Sequence, residues 1–204
     1  MRPSLVRRSR DLFAALVLAC SFTLLVSLTT APPAAAKDLD AIAIGDSVML
    51  GAKSQLRKAG ISVVDAKVSR QASSGVGLVR KRGSGLPEHV VIHLGTNGSH
   101  SVKTCRQMVR AAGAGRTVYL VNFKVPRSWE KPNNRILRKC DRKFRSDRVI
   151  LLDWNELASE NPEYLYNDGY HLRPEGAKAY AAMIRKAIDA PRAPYTDRIP
   201  STRG

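Results

Sequence analysis

The stretch from Asp168 to Gly176, DGYHLRPEG, sets a carboxylate three residues ahead of one of only four histidines in the chain. A carboxylate that accepts from one imidazole nitrogen fixes the tautomer in which the other can take a proton, so this pair could serve as orienter and base. The same residues also make an ordinary turn before a helix, with Pro174 and Glu175 as its first turn. A base needs a nucleophile, and Ser47 stands at the end of Ile44-Gly45-Asp46-Ser47, after an apolar run and before a helical pattern. That places its hydroxyl at a strand-to-helix turn and leaves its backbone NH among the unpaired donors of a helix start. The plainer alternative is that Asp46 or Ser47 simply caps the helix. In Leu94-Gly95-Thr96-Asn97-Gly98 the glycines permit close backbone approach, and the Asn97 carboxamide can aim a donor into the same crevice. Nucleophile, base, orienter and oxyanion donor are the four parts that acyl transfer requires. The other histidines fit less well: His89 and His93 flank a strand expected to be buried, and His100 has no carboxylate nearby.

The elements that must position these groups alternate along the chain. Residues 41–44, 62–68, 90–94, 117–123 and 149–152 are short, β-branched and nearly continuous apolar runs, as strands covered on both faces are. Helical spacing occupies 48–59, 102–112, 133–143 and 175–188. Alternation of this kind implies right-handed crossovers and a doubly wound, flavodoxin-like α/β fold: a five-stranded parallel sheet with helices on both faces. Ligands of such sheets lie beyond the carboxyl ends of the strands, where Ser47 and Asn97 both fall. Val125-Pro126-Arg127-Ser128-Trp129 follows the fourth strand at that edge. Arg127 and Asn134 are candidate substrate contacts there, and Trp129 either walls the site or plugs the core.

Residues 1–36 are set aside from this fold. Arg2, Arg7, Arg8 and Arg10 precede the apolar run from Leu12 to Leu28, and Ala34-Ala35-Ala36 offers a small-residue cleavage site, the pattern of an export signal. An uncleaved N-terminal membrane anchor is the alternative. The domain would then span 37–190, with a loose polar tail over 191–204. The full chain carries 34 basic and 17 acidic side chains; without Arg2, Arg7, Arg8, Arg10 and Asp11 these become 30 and 16, a net charge of +14. Such a surface attracts anionic wall polymers non-specifically. Its charges are scattered without the interleaved aromatics of a strand-reading platform, so no specific nucleic-acid partner is expected. Beyond Cys20 in the export segment, Cys105 and Cys140 form an even pair in an oxidising compartment, which favours a disulfide over two inert buried thiols. Neither has metal-ligand spacing, and no metal or cofactor is expected.

The ordered blocks Gly45-Asp46-Ser47, Gly95-x-Asn97 and Asp168-x-x-His171 resemble those of the SGNH (GDSL-like) hydrolases. Within that family, GDSVMLGA, VDAKVSRQ, VVIHLGTNG, VNFKVPRSWEKPNN, LLDWNELA and DGYHLRPEG look most like the extracytoplasmic domains of peptidoglycan and surface-glycan O-acetyltransferases. The resemblance implies Ser47 as nucleophile, His171 as general base and acid, and Asp168 as its orienter. The oxyanion would be held by the Ser47 backbone NH and the Asn97 side chain. Where the family usually carries a glycine after its second strand this chain has Arg70, whose backbone NH would be a third donor, with Gly75 as the alternative; Gly98 stands where many relatives have Asp. The implied function is an exported serine esterase or O-acyltransferase working on O-acyl, chiefly O-acetyl, groups of a cell-envelope glycan or on a small ester, through an acyl-enzyme. A membrane partner would supply the acyl donor if the reaction is a transfer. The alternatives are a lipase or thioesterase of the same family and a non-catalytic, basic wall-binding module.

Overall fold

The computed structural model describes residues 37–144 and 148–191; the expected export segment, residues 145–147 and the tail from 192 lie outside the described residues. Five parallel strands, β1 (Leu39–Gly45), β2 (Ile61–Ala66), β3 (His89–His93), β4 (Thr117–Val121) and β5 (Val149–Leu152), form one sheet in the order β2-β1-β3-β4-β5. This is the flavodoxin-like order, and its direction of winding reverses between β1 and β3. Among the described residues seven α-helices cover it: α1 (Ser47–Gly51), α2 (Lys53–Lys58), α3 (Gly75–Arg82), α4 (Val102–Ala112), α5 (Glu130–Lys143), α6 (Trp154–Glu160) and α7 (Pro174–Asp189).

The period of two in β1 explains why both faces are covered. Ala41 and Ala43 point to one face, where their small side chains admit Val48, Met49 and Leu56 of α1 and α2, Trp154 of α6, and Tyr180 and Ile184 of α7. Ile42 and Ile44 point to the other, against Val79 of α3, Met108 and Val109 of α4, and Leu137 of α5. Each fully buried large side chain contributes about 1.5–3 kcal/mol of transfer free energy, so a strand buried on both faces gains twice from one backbone. On the second face the disulfide Cys105–Cys140 ties α4 to α5, with Cα atoms 6.2 Å apart. Closing its 35-residue separation contributes about 3–4 kcal/mol in the chain-entropy account.

The sheet follows the sequence pattern closely, with three local departures. The helix expected over 48–59 is broken at Ala52, whose NH turns back to Met49 and Leu50 carbonyls, next to the poor helix former Gly51. β2 stops at Ala66, ahead of Ser69 at φ 57, and β4 stops at Val121, where Asn122 begins to bond α6. Helix α3, with Gly75 and Gly77 in its first turn, and the short α6 give little helical signal in the sequence.

Candidate active site

The site is built on the ends of β1 and β3, the two strands that flank the reversal. Asp46 follows β1, is fully buried, and caps α1 by accepting the Val48 NH through Oδ1 at 3.2 Å. Its Oδ2 accepts the Thr96 NH at 3.2 Å, and its own NH donates to the His93 carbonyl at 3.1 Å. One carboxylate therefore locks the turn after β1 to the turn after β3. Ser47 is the first residue of α1, so its NH has no acceptor within the helix. Capping by Asp46 and exposure of the Ser47 hydroxyl are thus parts of one arrangement.

The loop before α7 closes on itself. The Tyr166 NH donates to the His171 carbonyl and the Gly169 NH to the Tyr166 carbonyl, both at 2.9 Å, and Leu165 bridges Leu172 antiparallel. Arg173 braces the base of this loop through Nε to the Leu165 carbonyl at 2.9 Å. Gly169 has φ +77, which a side chain would strain, and a Cβ there would stand 3.3 Å from the Pro126 ring. In this frame Asp168 Oδ1 accepts the backbone NH groups of Tyr170 and His171 at 3.1 and 3.0 Å. That leaves Oδ2 for His171 Nδ1 at 2.8 Å, and His171 Nε2 then lies 3.2 Å from Ser47 Oγ. The Tyr170 ring packs against the imidazole, tilted by 36° with centroids 4.1 Å apart. Burial raises the Asp168 carboxyl, but the hydrogen bonds from His171 and Tyr170 outweigh it and hold it below the ordinary carboxylate range. The site is open: the side chains of His171 and Asp168 are 38% and 40% exposed.

In the turn after β3, Asn97 is half-buried and one of its two Nδ2 protons is directed to the Arg70 carbonyl at 3.3 Å. Arg70 itself is an anchor. Its guanidinium reaches the Gly45 carbonyl at 3.2 Å and Asp65 Oδ1 at 2.7 Å, while Arg82 takes Asp65 Oδ2 at 2.6 Å. Burial raises the Asp65 carboxyl, and the hydrogen bonds and charges of Arg70 and Arg82 more than reverse this and lower it. The Arg70 backbone NH makes a long 3.4 Å bond to the Lys67 carbonyl, so it is weakly held. Gly75, the alternative third donor, is a correction: its NH is spent on the Ala72 carbonyl at the start of α3, and it packs against Met108 and Leu94 in the core.

Of the three candidate substrate contacts, Arg127 is exposed beside the loop of Asp168, on the rim of a cleft that Gly169 also lines. Trp129 is half-buried, packs against the core and donates to the Thr96 carbonyl at 3.1 Å, so it braces the Asn97 turn. Asn134 is a second correction. It is buried, accepts the Phe123 NH at 2.9 Å and donates to the Phe123 carbonyl at 2.8 Å, so it holds the backbone after β4 from inside the fold. Its neighbour Asn133 escaped the sequence reading, although it holds the Gly95 and Gly98 carbonyls and the His100 NH and so shapes the whole turn around Asn97. The pair His93 Nδ1 and Tyr180 OH, 2.6 Å apart beneath Asp46, was equally invisible, being joined across 87 residues. His89 bonds the Tyr119 hydroxyl, and His93 and His100 are buried in the core.

No protein-family model matches the chain. Among curated proteins, the peptidoglycan O-acetyltransferase OatA of Listeria monocytogenes is 30% identical over 151 residues, which is 72% of this chain and 24% of that protein. YrhL of Bacillus subtilis, a candidate peptidoglycan O-acetyltransferase, is 40% identical over 152 residues, 73% of this chain and 24% of its own length. Among solved structures, the C-terminal catalytic domain of Streptococcus pneumoniae OatA, determined with a methylsulfonyl adduct, superimposes with a TM-score of 0.64 at 25% identity, covering 75% of this chain and 93% of that domain. The chain belongs to the SGNH hydrolases. A G-D-S-L family protein from Desulfitobacterium hafniense, at TM-score 0.54 and 16% identity, shares the SGNH-type fold. This SGNH chain spans about a quarter of the length of the curated relatives it matches. Among its described residues no helix is long and apolar enough to cross a membrane.

Proposed function

We propose that this SGNH enzyme is an extracytoplasmic O-acyltransferase or esterase that moves acetyl groups on a cell-envelope glycan through a Ser47-His171-Asp168 triad. The observation that carries the reading is the unbroken run of hydrogen-bonding contacts from Asp168 Oδ2 through the imidazole to Ser47 Oγ, at 2.8 and 3.2 Å. Ionised Asp168 keeps the proton on Nδ1, so Nε2 is free to accept the Ser47 proton as Oγ attacks the acyl carbonyl; general-base help of this kind is worth about 10²–10⁴-fold. The developing oxyanion is met by the Ser47 NH and by the Nδ2 proton of Asn97 that Arg70 does not take, with the Arg70 NH as a third donor. The imidazolium then returns its proton to the leaving alcohol and an acyl-Ser47 ester remains. In the second half His171 takes the proton of the acceptor hydroxyl, from water or from a sugar, as its oxygen attacks the acyl carbon, and returns that proton to Ser47 Oγ as the acyl group leaves. The open edge, with the base and its orienter partly in solvent, suits a polymer chain better than an enclosed small molecule. The disulfide between α4 and α5 supports an oxidising compartment. The reading is tested with an O-acetyl donor ester and a chito-oligosaccharide acceptor, scoring acetylated sugar against free acetate. Ser47→Ala and His171→Ala should each remove nearly all product of both kinds, and the double variant should be no worse than either, because the residues act as one unit. Substantial turnover in either single variant contradicts the triad.

A further inference from the structure

Two clefts lie on either side of the triad loop, and both are bordered by Lys124 and Gly169. One, of about 490 Å³, continues past Tyr166, Asn167, Glu163 and Arg173. The other, of about 520 Å³, runs along Pro126, Arg127, Glu130 and Lys131. Gly169 belongs to the loop that carries Asp168 and His171, so both clefts border that loop. Most polar groups of these walls are already committed. Arg173 serves the Leu165 carbonyl and covers the Tyr166 ring at 5.2 Å, and Glu130 Oε2 accepts the Val125 NH. Asp168 is paired with His171. Lys124 is half-buried just after β4 and borders both clefts, and like the exposed Lys131 it has no ion-pair or hydrogen-bond partner among the described residues. An ammonium at a cleft wall without a counter-charge is a ready partner for an anion brought to it. Tyr166, 49% exposed, adds ring surface on which a sugar can rest.

We propose that Lys124, set between the two clefts that flank the Asp168–His171 loop, anchors a carboxylate subsite for the acceptor glycan. The inference rests on the glycan reading above and names its substrate class more closely: a sugar strand that carries carboxyl groups. Glu130 and Glu163 share these walls with Lys124, Arg127, Lys131 and Arg173, a lining of mixed sign that suits singly charged carboxylates spaced along a glycan better than a densely charged polyphosphate. The subsite should therefore favour carboxylated over neutral and over phosphate-rich chains.

The test is equilibrium binding by calorimetry at physiological ionic strength, which needs no turnover and so stands apart from the fate of the triad. The probes are a neutral chito-oligosaccharide, the same oligomer bearing O-linked carboxyl groups, and a glycerol phosphate oligomer of equal charge. The full-length protein should bind the carboxylated oligomer about tenfold more tightly than either of the others, as one charge-assisted hydrogen bond allows. Lys124→Gln should bring that ratio near one, Lys124→Arg should restore most of it, and the exposed Lys139→Gln should leave it intact. No preference in the unaltered protein, a preference that survives Lys124→Gln, an equal loss in Lys139→Gln, or tighter binding of the phosphate oligomer would each overturn the subsite. A preference found in protein that shows no Ser47-dependent turnover would support the subsite and count against the reaction.

Discussion

Replacing Asp168 by Asn separates the charge of the orienter from its hydrogen bonds. In the structure Oδ1 already accepts two backbone NH groups, from Tyr170 and His171, while only Oδ2 faces the imidazole. An Asn at this position has one carbonyl oxygen, and those two NH groups hold it on the Oδ1 side. Its NH₂ then meets Nδ1, which must become an acceptor, and the proton moves to Nε2. Nε2–H donates toward Ser47 Oγ instead of accepting from it, so the base is lost although the loop is intact. A buried orienting carboxylate is worth about 10⁴ in kcat. Here the Asp168 and His171 side chains are 40% and 38% exposed, and solvent screening reduces the Coulomb share. We expect kcat for an acetyl ester to fall by about 10²–10³ for Asp168→Asn, with KM little changed. Asp168→Ala, which lets water accept from Nδ1–H, should cost no more than Asp168→Asn in chemistry while loosening the loop. Steady-state kinetics, with ¹⁵N chemical shifts of the His171 ring to read the tautomer, check both halves. An Asn variant that keeps more than a tenth of kcat, or that keeps the proton on Nδ1, refutes the reasoning.

Asn97→Ala should lower kcat by about 10²–10³ with a small change in melting temperature, as the loss of one oxyanion donor does; an equal fall in thermal stability and turnover would make Asn97 a turn residue only. Asn134→Ala should behave in the opposite way, costing about 1–3 kcal/mol in denaturant unfolding because the buried Phe123 NH loses its acceptor while the Phe123 carbonyl keeps Asn155 Nδ2, with turnover per folded molecule retained. Asp65 has a lowered folded pKa, so its ion pairs with Arg70 and Arg82 stabilise the protein above the unfolded carboxylate value, about 3.9, and this is lost as pH falls through the folded value. Melting curves from pH 6 to pH 2 should therefore show a weaker acid decline in Asp65→Asn than in the unaltered protein, and parallel declines would rule that linkage out.

The sheet was legible because buried parallel strands write their burial into continuous β-branched runs, and the pattern at residues 90–94 and 149–152 matches β3 and β5 to within a residue. Helix α3 was not, because Gly75 and Gly77 weaken the helical signal and its packing on α4 is a tertiary matter. The blocks around Ser47, Asn97, Asp168 and His171 could be read because each sits in a short local motif at a strand end or turn. Asn133, Asn134 and Tyr180 could not, since nothing within a few residues tells whether a carboxamide or phenol faces a ligand or a backbone carbonyl. Asn134 was misassigned for that reason. Its neighbour Asn133, one residue away in α5, turned out to carry the turn that presents Asn97.

The central claim is that Ser47 is an activated nucleophile, and covalent labelling reads it directly. A fluorophosphonate reacts with a serine hydroxyl that a neighbouring imidazole deprotonates, and peptide mass spectrometry locates the adduct. The account predicts one label per chain, on Ser47, with the rate cut at least 10²-fold in His171→Ala and no label in Ser47→Ala. An unlabelled protein, a label on another serine, or a Ser47 label whose rate ignores the loss of His171 would contradict it.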